Sequence, residues 1–323
     1  MKTSALLACA ALAAAAVFAP GAHADTYPSR PLTLVIPFPP GGATDVVGRL
    51  VGKTLGDKLG QPVVIDNRAG AGTIIGATYT AKAAPDGYTL LISSGTTFTV
   101  NPALQSKLAY DPLKSFDAIG LVARTGLILL ANKDVPAANP KQYVDLVRAA
   151  PDKYSYASFG TGTTAQFTGE LMLRATGTKM VHIPYKGSAP AMTDLMGGQV
   201  PFSVDTVSAA IPQLKTGKIK AIAVTTKKRS ALLPDVPTFA ESGFDLDADT
   251  WIAVVAPHGL PADVKAKLEK ALQDTIATPE VREKLVAAGL EPAWANGAAA
   301  TSLIEKELPL MRAIATRANI RAE

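Results

Sequence analysis

The sequence predicts an α/β protein of two similar lobes, each a mostly parallel sheet flanked by helices, with a ligand cleft between them. Three observations carry that expectation. Short apolar runs of strand type alternate with longer stretches whose apolar residues recur at helical spacing, the pattern of βαβ units. The alternation runs once from about residue 32 to 92 and again from about 154 to 225. In both series glycine- or hydroxyl-rich loops follow the strands, and open parallel sheets gather ligands at those carboxyl ends.

In the first series, Leu32 to Ile36 reads as a strand, and Pro37-Phe38-Pro39-Pro40-Gly41-Gly42-Ala43-Thr44-Asp45 breaks it. The prolines remove amide donors and stiffen the loop, while Gly41 and Gly42 permit positive φ and close approach of a ligand to the backbone. Thr44 or Asp45 can cap the helix read from Val46 to Leu59. Uncommitted amides at the positive end of a helix make a seat for a small anion, here expected to be a carboxylate. An ordinary βα turn reads the same way. Gly60-Gln61-Pro62 stops the helix, Val63 to Ile65 is the second strand, and a polar loop from Asp66 to Thr73 leads into a helix ending at Ala83. After the turn Pro85-Asp86-Gly87, a third strand from Tyr88 to Ile92 opens onto Ser93-Ser94-Gly95-Thr96-Thr97.

Short apolar runs between Leu113 and Asp134 suit a crossing between lobes. The second series then reads as a helix (140–150), a strand (154–158), the loop Ser158-Phe159-Gly160-Thr161-Gly162-Thr163-Thr164, and a helix to Ala175. Strands follow at 180–184, 200–204 and 219–225, with helices at 188–196 and 211–215 between them. A strand at 251–256 and helices at 261–276, 279–288 and 299–318 return the chain to the first lobe. The expected division is 25–125 plus 229–323 for lobe 1 and 126–228 for lobe 2.

Residues 1–24 carry one lysine, an apolar run and Ala22-His23-Ala24, the small-x-small pattern of a cleavable export signal, so the mature chain is expected to start at Asp25. Leu6-Leu7-Ala8-Cys9 imitates a lipid-attachment box, but cleavage there would leave too short an apolar core. Cys9 is the only cysteine in the sequence, which leaves the mature chain without disulfide, thiol nucleophile or thiolate metal site. Removing Lys2 leaves 31 basic against 27 acidic residues, a net of +4. The one basic cluster is Lys227-Lys228-Arg229 and aromatics are sparse, which argues against a nucleic-acid surface. A mildly positive exported protein suits a small anionic ligand.

Catalytic and cofactor motifs are poorly represented. Gly160-x-Gly162-x-x-Ala165 fits a dinucleotide fingerprint, but about twenty residues on the chain reads Ile183-Pro184-Tyr185-Lys186, without an acid for the ribose. His182 and His258 have no matching nucleophile or carboxylate motif, and no His/Asp/Glu cluster has metal spacing. The sequence therefore predicts no enzyme, no cofactor and no metal. A secreted hydrolase using Ser94 or Thr163 is the alternative, assembled from distant loops.

Several blocks together resemble one family: Tyr27-Pro28-Ser29-Arg30-Pro31, the run Pro37 to Asp45, Asn67-Arg68-x-Gly70-Ala71-Gly72, Pro85-Asp86-Gly87-Tyr88-Thr89-Leu90-Leu91 and Pro184-Tyr185-Lys186-Gly187. In this order they resemble the Bug or TctC-type receptors of tripartite tricarboxylate transporters, over essentially the whole mature chain. The resemblance implies a type II-like periplasmic-binding-protein fold and a periplasmic, monomeric receptor that closes on a small carboxylate. That ligand would be a di- or tricarboxylate, an aromatic carboxylate or an amino acid, delivered to membrane permease subunits. A ligand sensor for a membrane kinase would share these features.

Carried onto this sequence, the resemblance implies that the loop Pro39 to Thr44, with Pro40, Gly41, Gly42, Ala43 and Thr44 at the ligand, holds a carboxylate through its backbone NH groups and bridging waters. Ser94, Gly95, Thr96 and Thr97 would flank it, and Gly160, Thr161, Gly162, Thr163 and Thr164 would grip from the other lobe. Asp205 would accept from a ligand hydroxyl or ammonium, or else cap the helix that follows. Two departures from the family pattern stand out: Thr163 and Gln166 replace the usual Ser and His, and Thr73-Ile74 replaces Gly-Asn.

Overall fold

The computed structural model describes residues 27–151 and 153–321, so the expected leader and Cys9 lie outside the described residues. In the first lobe β1 (Leu32–Ile36) lies between β2 (Val63–Asn67) and β3 (Thr89–Ser94), all parallel. β3 then pairs antiparallel with β9 (Asp249–Pro257), β9 with β4 (Phe116–Asn132), and β4 with the edge strand β10 (Glu291–Asn296). In the second lobe the far half of β4 pairs antiparallel with β7 (Phe202–Thr206) and β8 (Ile219–Val224). From β7 the sheet continues in parallel through β5 (Ser155–Ser158) to β6 (Val181–Pro184).

Helices cover both faces of each sheet because the central strands β4, β7 and β9 bury side chains on both sides. On one face of the first sheet, α1 (Ala43–Leu59), α8 (Ala262–Ala277) and α9 (Pro279–Ala287) bury Val47, Val51, Leu55, Leu268, Leu272 and Leu285. The opposite face packs α2 (Ile74–Ala81) and α10 (Gly297–Ala318) through Ala77, Ala300 and Ile304 around Phe98 and Trp251, whose rings stack 5.7 Å apart. In the second lobe α4 (Pro140–Ala149) and α5 (Thr164–Thr176) cover one face, with Tyr143, Val147 and Met172 in its core. On the other face α6 (Ser188–Met196) and α7 (Val207–Leu214) contribute Ala191, Leu195 and Ala210.

Several elements differ from the sequence reading. The broken apolar runs before Asp134 form one 17-residue strand, β4. Through Gly126 it pairs with β9, and from Leu127 it pairs with β7, so one strand belongs to both sheets. The return to the first lobe comes at Asp249, not at 229: Leu233, Val236, Phe239, Phe244 and Leu246 all pack in the second lobe. β10 was unforeseen because Glu291-Pro-Ala-Trp-Ala-Asn lacks a clean alternation, and its register shifts between Pro292 and Ala295, where an edge strand tolerates proline. Ser94 runs into a wide helical turn (Thr96–Val100) continued by α3 (Asn101–Leu104), and α7 starts at Val207, four residues before the predicted helix. The tail also reaches across: Ala315 and Ile320 pack with Val100 and Phe167, and Arg174 Nη1 donates to the Arg317 carbonyl at 3.0 Å.

Candidate ligand-binding site

A cavity of about 30 Å³ lies where the lobes meet, lined from the first lobe by Phe38, Pro39, Gly42, Ala43, Thr44, Ser94, Thr250 and Ile252. The second lobe lines it with Phe159, Thr164, Gly187, Ser188 and Thr206. At roughly 10–15 Å³ per water it has room for about two waters, so the lobes must part to admit a solute. The closure is intimate. The rings of Phe38 and Phe159 meet edge to face at 6.2 Å, and a Cβ built on Gly187 would lie 2.8 Å from the Pro39 ring. Outside this contact a larger groove runs along Gly70 to Ile74, Gly160, Thr161, Thr163 and Tyr185.

The proline–glycine loop after β1 is held from behind. Asn67 donates through Nδ2 to the Phe38 carbonyl and to Asp45 Oδ1, and Asp45 Oδ2 accepts from the Gly41 amide and Arg49 Nε. Burial raises the Asp45 pKa, but the bonds from Arg49, Asn67 and Gly41 outweigh it and hold the carboxyl below its ordinary value. Tying the loop carbonyl thus falls to Asn67, while Arg68 pairs with Asp66 at 2.6 Å and lies over the Tyr79 ring. The N-cap of α1 is Gly42, without any side-chain cap, rather than Thr44 or Asp45. The first-turn amides of Ala43 and Thr44 have no intrahelical acceptor, and both residues line the cavity.

The second lobe offers a matching end. α6 begins at Ser188 with Gly187 as N-cap, again without a side-chain cap. A Cβ built on Gly42 would lie 3.7 Å from Ser188 Oγ, so the uncapped helix starts of the two lobes face each other. The other two helix starts near the cleft are already served. Thr163 caps α5 through the Gln166 amide, Gln166 Oε1 takes the Gly162 amide at 2.6 Å, and Thr96 Oγ1 takes the Thr164 amide. Thr206 caps α7, and its own amide donates to Asp205 Oδ1 at 2.7 Å.

Asp205 does not line the cavity; it lies wholly buried behind it. Its Oδ1 also accepts from Ser188 Oγ at 2.9 Å, while Oδ2 has no partner. Burial pushes its carboxyl up to about 7, against the bonds from Thr206 and Ser188. Of the remaining residues singled out in the sequence, Pro40 and Gly41 are exposed, and Gly41 has φ +95° with its amide taken by Asp45. Thr97 turns into the first lobe, bonding Ser93 and Thr73. Gly160, Thr161 and Thr163 line the outer groove, whereas Ser94 and Thr164 reach the cavity and Gly95 backs it beside Thr250.

Sequence reasoning missed Phe38, Phe159, Gly187, Ser188, Thr206, Thr250 and Ile252 as lining residues. Gly187 carried a signal, a glycine directly before a helix, but Thr250 on β9 carried none. The residue lines the cavity, while its hydroxyl oxygen is buried and unpartnered. A serine–histidine pair nearby, Ser158 Oγ with His182 Nε2 at 2.7 Å, has no orienting acid because His182 Nδ1 is unpartnered. Burial pushes His182 down to about 4. Among the described residues no group of His, Cys, Asp and Glu could hold a metal.

Residues 47–320 match the family model described as "Tripartite tricarboxylate transporter family receptor". Protein BugT of Bordetella pertussis is 37% identical over 287 residues, 88% of each chain. A solved R. palustris protein with adipate superposes with TM-score 0.88 at 33% identity, over 91% of this chain and 99% of that one. MatC from Rhodopseudomonas palustris with bound malate superposes with TM-score 0.84 at 32% identity, over 89% and 99%. With the paired lobes, the shared strand and the shut cleft, these likenesses show that the chain belongs to the tripartite tricarboxylate transporter receptors, the Bug/TctC family of periplasmic solute-binding proteins.

Proposed function

We propose that this receptor captures a small carboxylate in the periplasm by closing its lobes and passes it to the permease subunits of a tripartite transporter, without covalent chemistry. The observation that carries the reading is the meeting of two uncapped helix N-termini, α1 at Gly42 and α6 at Gly187, in a cavity on whose wall no charged side chain stands among the described residues. Each helix start presents vacant amides and the positive end of a dipole. Hydrogen bonds to a charged group contribute about 1.5–3 kcal/mol each. Three or four are enough for micromolar binding, which needs about 8 kcal/mol net of ordering costs. The relatives solved with adipate and malate support the same ligand class.

Closure in this reading is a population shift, since the solute bonds both lobes only when they meet. The test is native mass spectrometry of the protein as purified, followed by thermal-shift screening against mono-, di- and tricarboxylates and amino acids. A ligand at a hundred times its dissociation constant adds about 2.7 kcal/mol, a readily measured rise in Tm. If no carboxylate raises Tm, or an added ester or amide is turned over, the receptor reading fails.

A further inference from the structure

Ser188 and Asp205 form a pair through the cavity wall. Ser188, the first residue of α6, lines the cavity, and its Oγ lies 3.7 Å from a Cβ built on Gly42 in the opposite lobe. Its one hydroxyl hydrogen is donated away from the cleft, to Asp205 Oδ1 at 2.9 Å. Asp205 is wholly buried, with Oδ1 also accepting the Thr206 amide and Oδ2 left without a partner. An ionised carboxylate with a bare oxygen is costly in such a place, and the neutral acid escapes that cost. Burial accordingly pushes the carboxyl up to about 7.

Among the described residues no neighbouring charge offsets that burial. β7 is packed by β4, β5, α5, α6 and α7, and the titratable side chains there are engaged elsewhere. On β4, Asp117 takes the amides of Gly259 and Leu260, and Arg124 pairs with Asp249. Tyr156 on β5 bonds Glu170 of α5 at 2.7 Å, Arg174 of α5 reaches the Arg317 carbonyl, and Asp194 of α6 accepts from the Tyr185 hydroxyl at 2.7 Å. α7 carries no titratable side chain. Across the cleft, Asp45 is tied to Gly41, Arg49 and Asn67.

A carboxylate arriving between Gly42 and Ser188 needs hydrogens, yet while Asp205 is ionised the serine oxygen turns only lone pairs toward it. Two anions then compete for one hydrogen from opposite sides, which raises the proton affinity of the inner one. Building on the receptor reading, we infer that Ser188 Oγ donates to the ligand carboxylate and that Asp205 is its positioning residue, so that binding is coupled to uptake of a proton by Asp205. The proton comes from solvent while the lobes are apart, adds to Oδ1 and is donated to Ser188 Oγ. The serine hydrogen, released from Asp205, turns to the ligand, and Oδ1 keeps the Thr206 amide on its remaining lone pair. Opening the lobes returns the proton.

The test titrates adipate, malate and the screened carboxylate that raises Tm most into wild type, Asp205→Asn and Ser188→Ala, by calorimetry at pH 6 and pH 8. Wild type and Asp205→Asn are also titrated at pH 7 in PIPES and in imidazole, whose different heats of ionisation report the protons exchanged. Wild-type affinity is expected to fall about tenfold from pH 6 to pH 8, because only the protonated fraction is competent. At pH 7 about half a proton or more should be taken up per ligand. Asp205→Asn offers Ser188 an amide hydrogen in place of the acid's, so it should bind equally at both pH values and take up no proton. Ser188→Ala should bind about tenfold more weakly than wild type at pH 6. A flat wild-type affinity, proton uptake that persists in Asp205→Asn, or a Ser188→Ala affinity equal to wild type at pH 6 would each overturn the inference while the receptor reading stands. If none of these carboxylates binds wild type and the wider screen is blank, the receptor reading fails and the inference with it.

Discussion

Thr96 Oγ1, in the first lobe, accepts the amide of Thr164, the first residue of α5 in the second lobe, at 3.0 Å, and the two hydroxyl oxygens lie 3.3 Å apart. The lobes are thus joined by a bond that needs no ligand. Thr96→Val preserves the shape and removes the acceptor, leaving a buried amide unpaired only when the lobes are shut. The closed form should lose about 1 kcal/mol. Small-angle scattering of the unliganded variant is expected to show a larger radius of gyration, and calorimetry a roughly fivefold weaker carboxylate affinity. Identical scattering and affinity would mean that this bond does not hold the lobes.

Gly42 and Gly41 separate two roles of adjacent glycines. Gly42 has φ −85° and ψ 170°, open to any residue, and a Cβ there meets only Ser188 Oγ at 3.7 Å. Gly42→Ala should fold normally yet place a methyl over the seat, weakening carboxylate binding at least tenfold through the loss of about one charge-assisted bond. Gly41→Ala, at φ +95° with open space around it, should lower stability by about 1 kcal/mol and leave affinity unchanged. Melting curves and calorimetry on the pair distinguish the two.

Gly72 lines the outer groove. A Cβ there would lie 2.5 Å from the Thr161 carbonyl of the opposite lobe, a backbone atom that cannot yield alone. Gly72→Ala should therefore block closure more than it harms the fold, although its φ of +58° adds some strain. The expected result is an expanded radius of gyration that ligand no longer reduces. A variant that still compacts on ligand addition would place the closure contact elsewhere.

Asp205 gives the stability a pH dependence of known sign. Its carboxyl holds a proton more tightly in the folded protein, near 7, than at its ordinary value of 3.8. Below about pH 4 both states are protonated and the group costs nothing; between about 4 and 7 the unfolded chain releases its proton first, so stability falls and stays reduced above that range. Asp205→Asn should flatten this slope and raise Tm at pH 8 relative to wild type, with little change at pH 4. Equal pH slopes in the two proteins would show that Asp205 is not the titrating group.

The βα series and the loops after β1, β3 and β5 were legible because apolar periodicity and glycine–proline breaks are local signals. The partners of those loops were not. Ser188 and Thr250 reach the cavity through chain reversals spanning well over a hundred residues, and Thr250 looks like any strand threonine until β9 is set beside β3. The loop Gly160 to Thr164 is expected from the resemblance to grip the ligand, but Gln166 and Thr96 already take two of its amides, and no local pattern in the sequence signals such side-chain acceptors. Lobe limits suffered similarly: no local signal near residue 229 tells which core the following segment joins, and only the packing of Phe239 and Leu246 assigns it to the second.

Because β4 lends its first half to one sheet and its second half to the other, neither core can come apart without stripping an interior strand from its neighbour. Two hydrophobic centres that look separable are stitched through a single ribbon of backbone, and heat should dissolve them together, as one calorimetric peak rather than two.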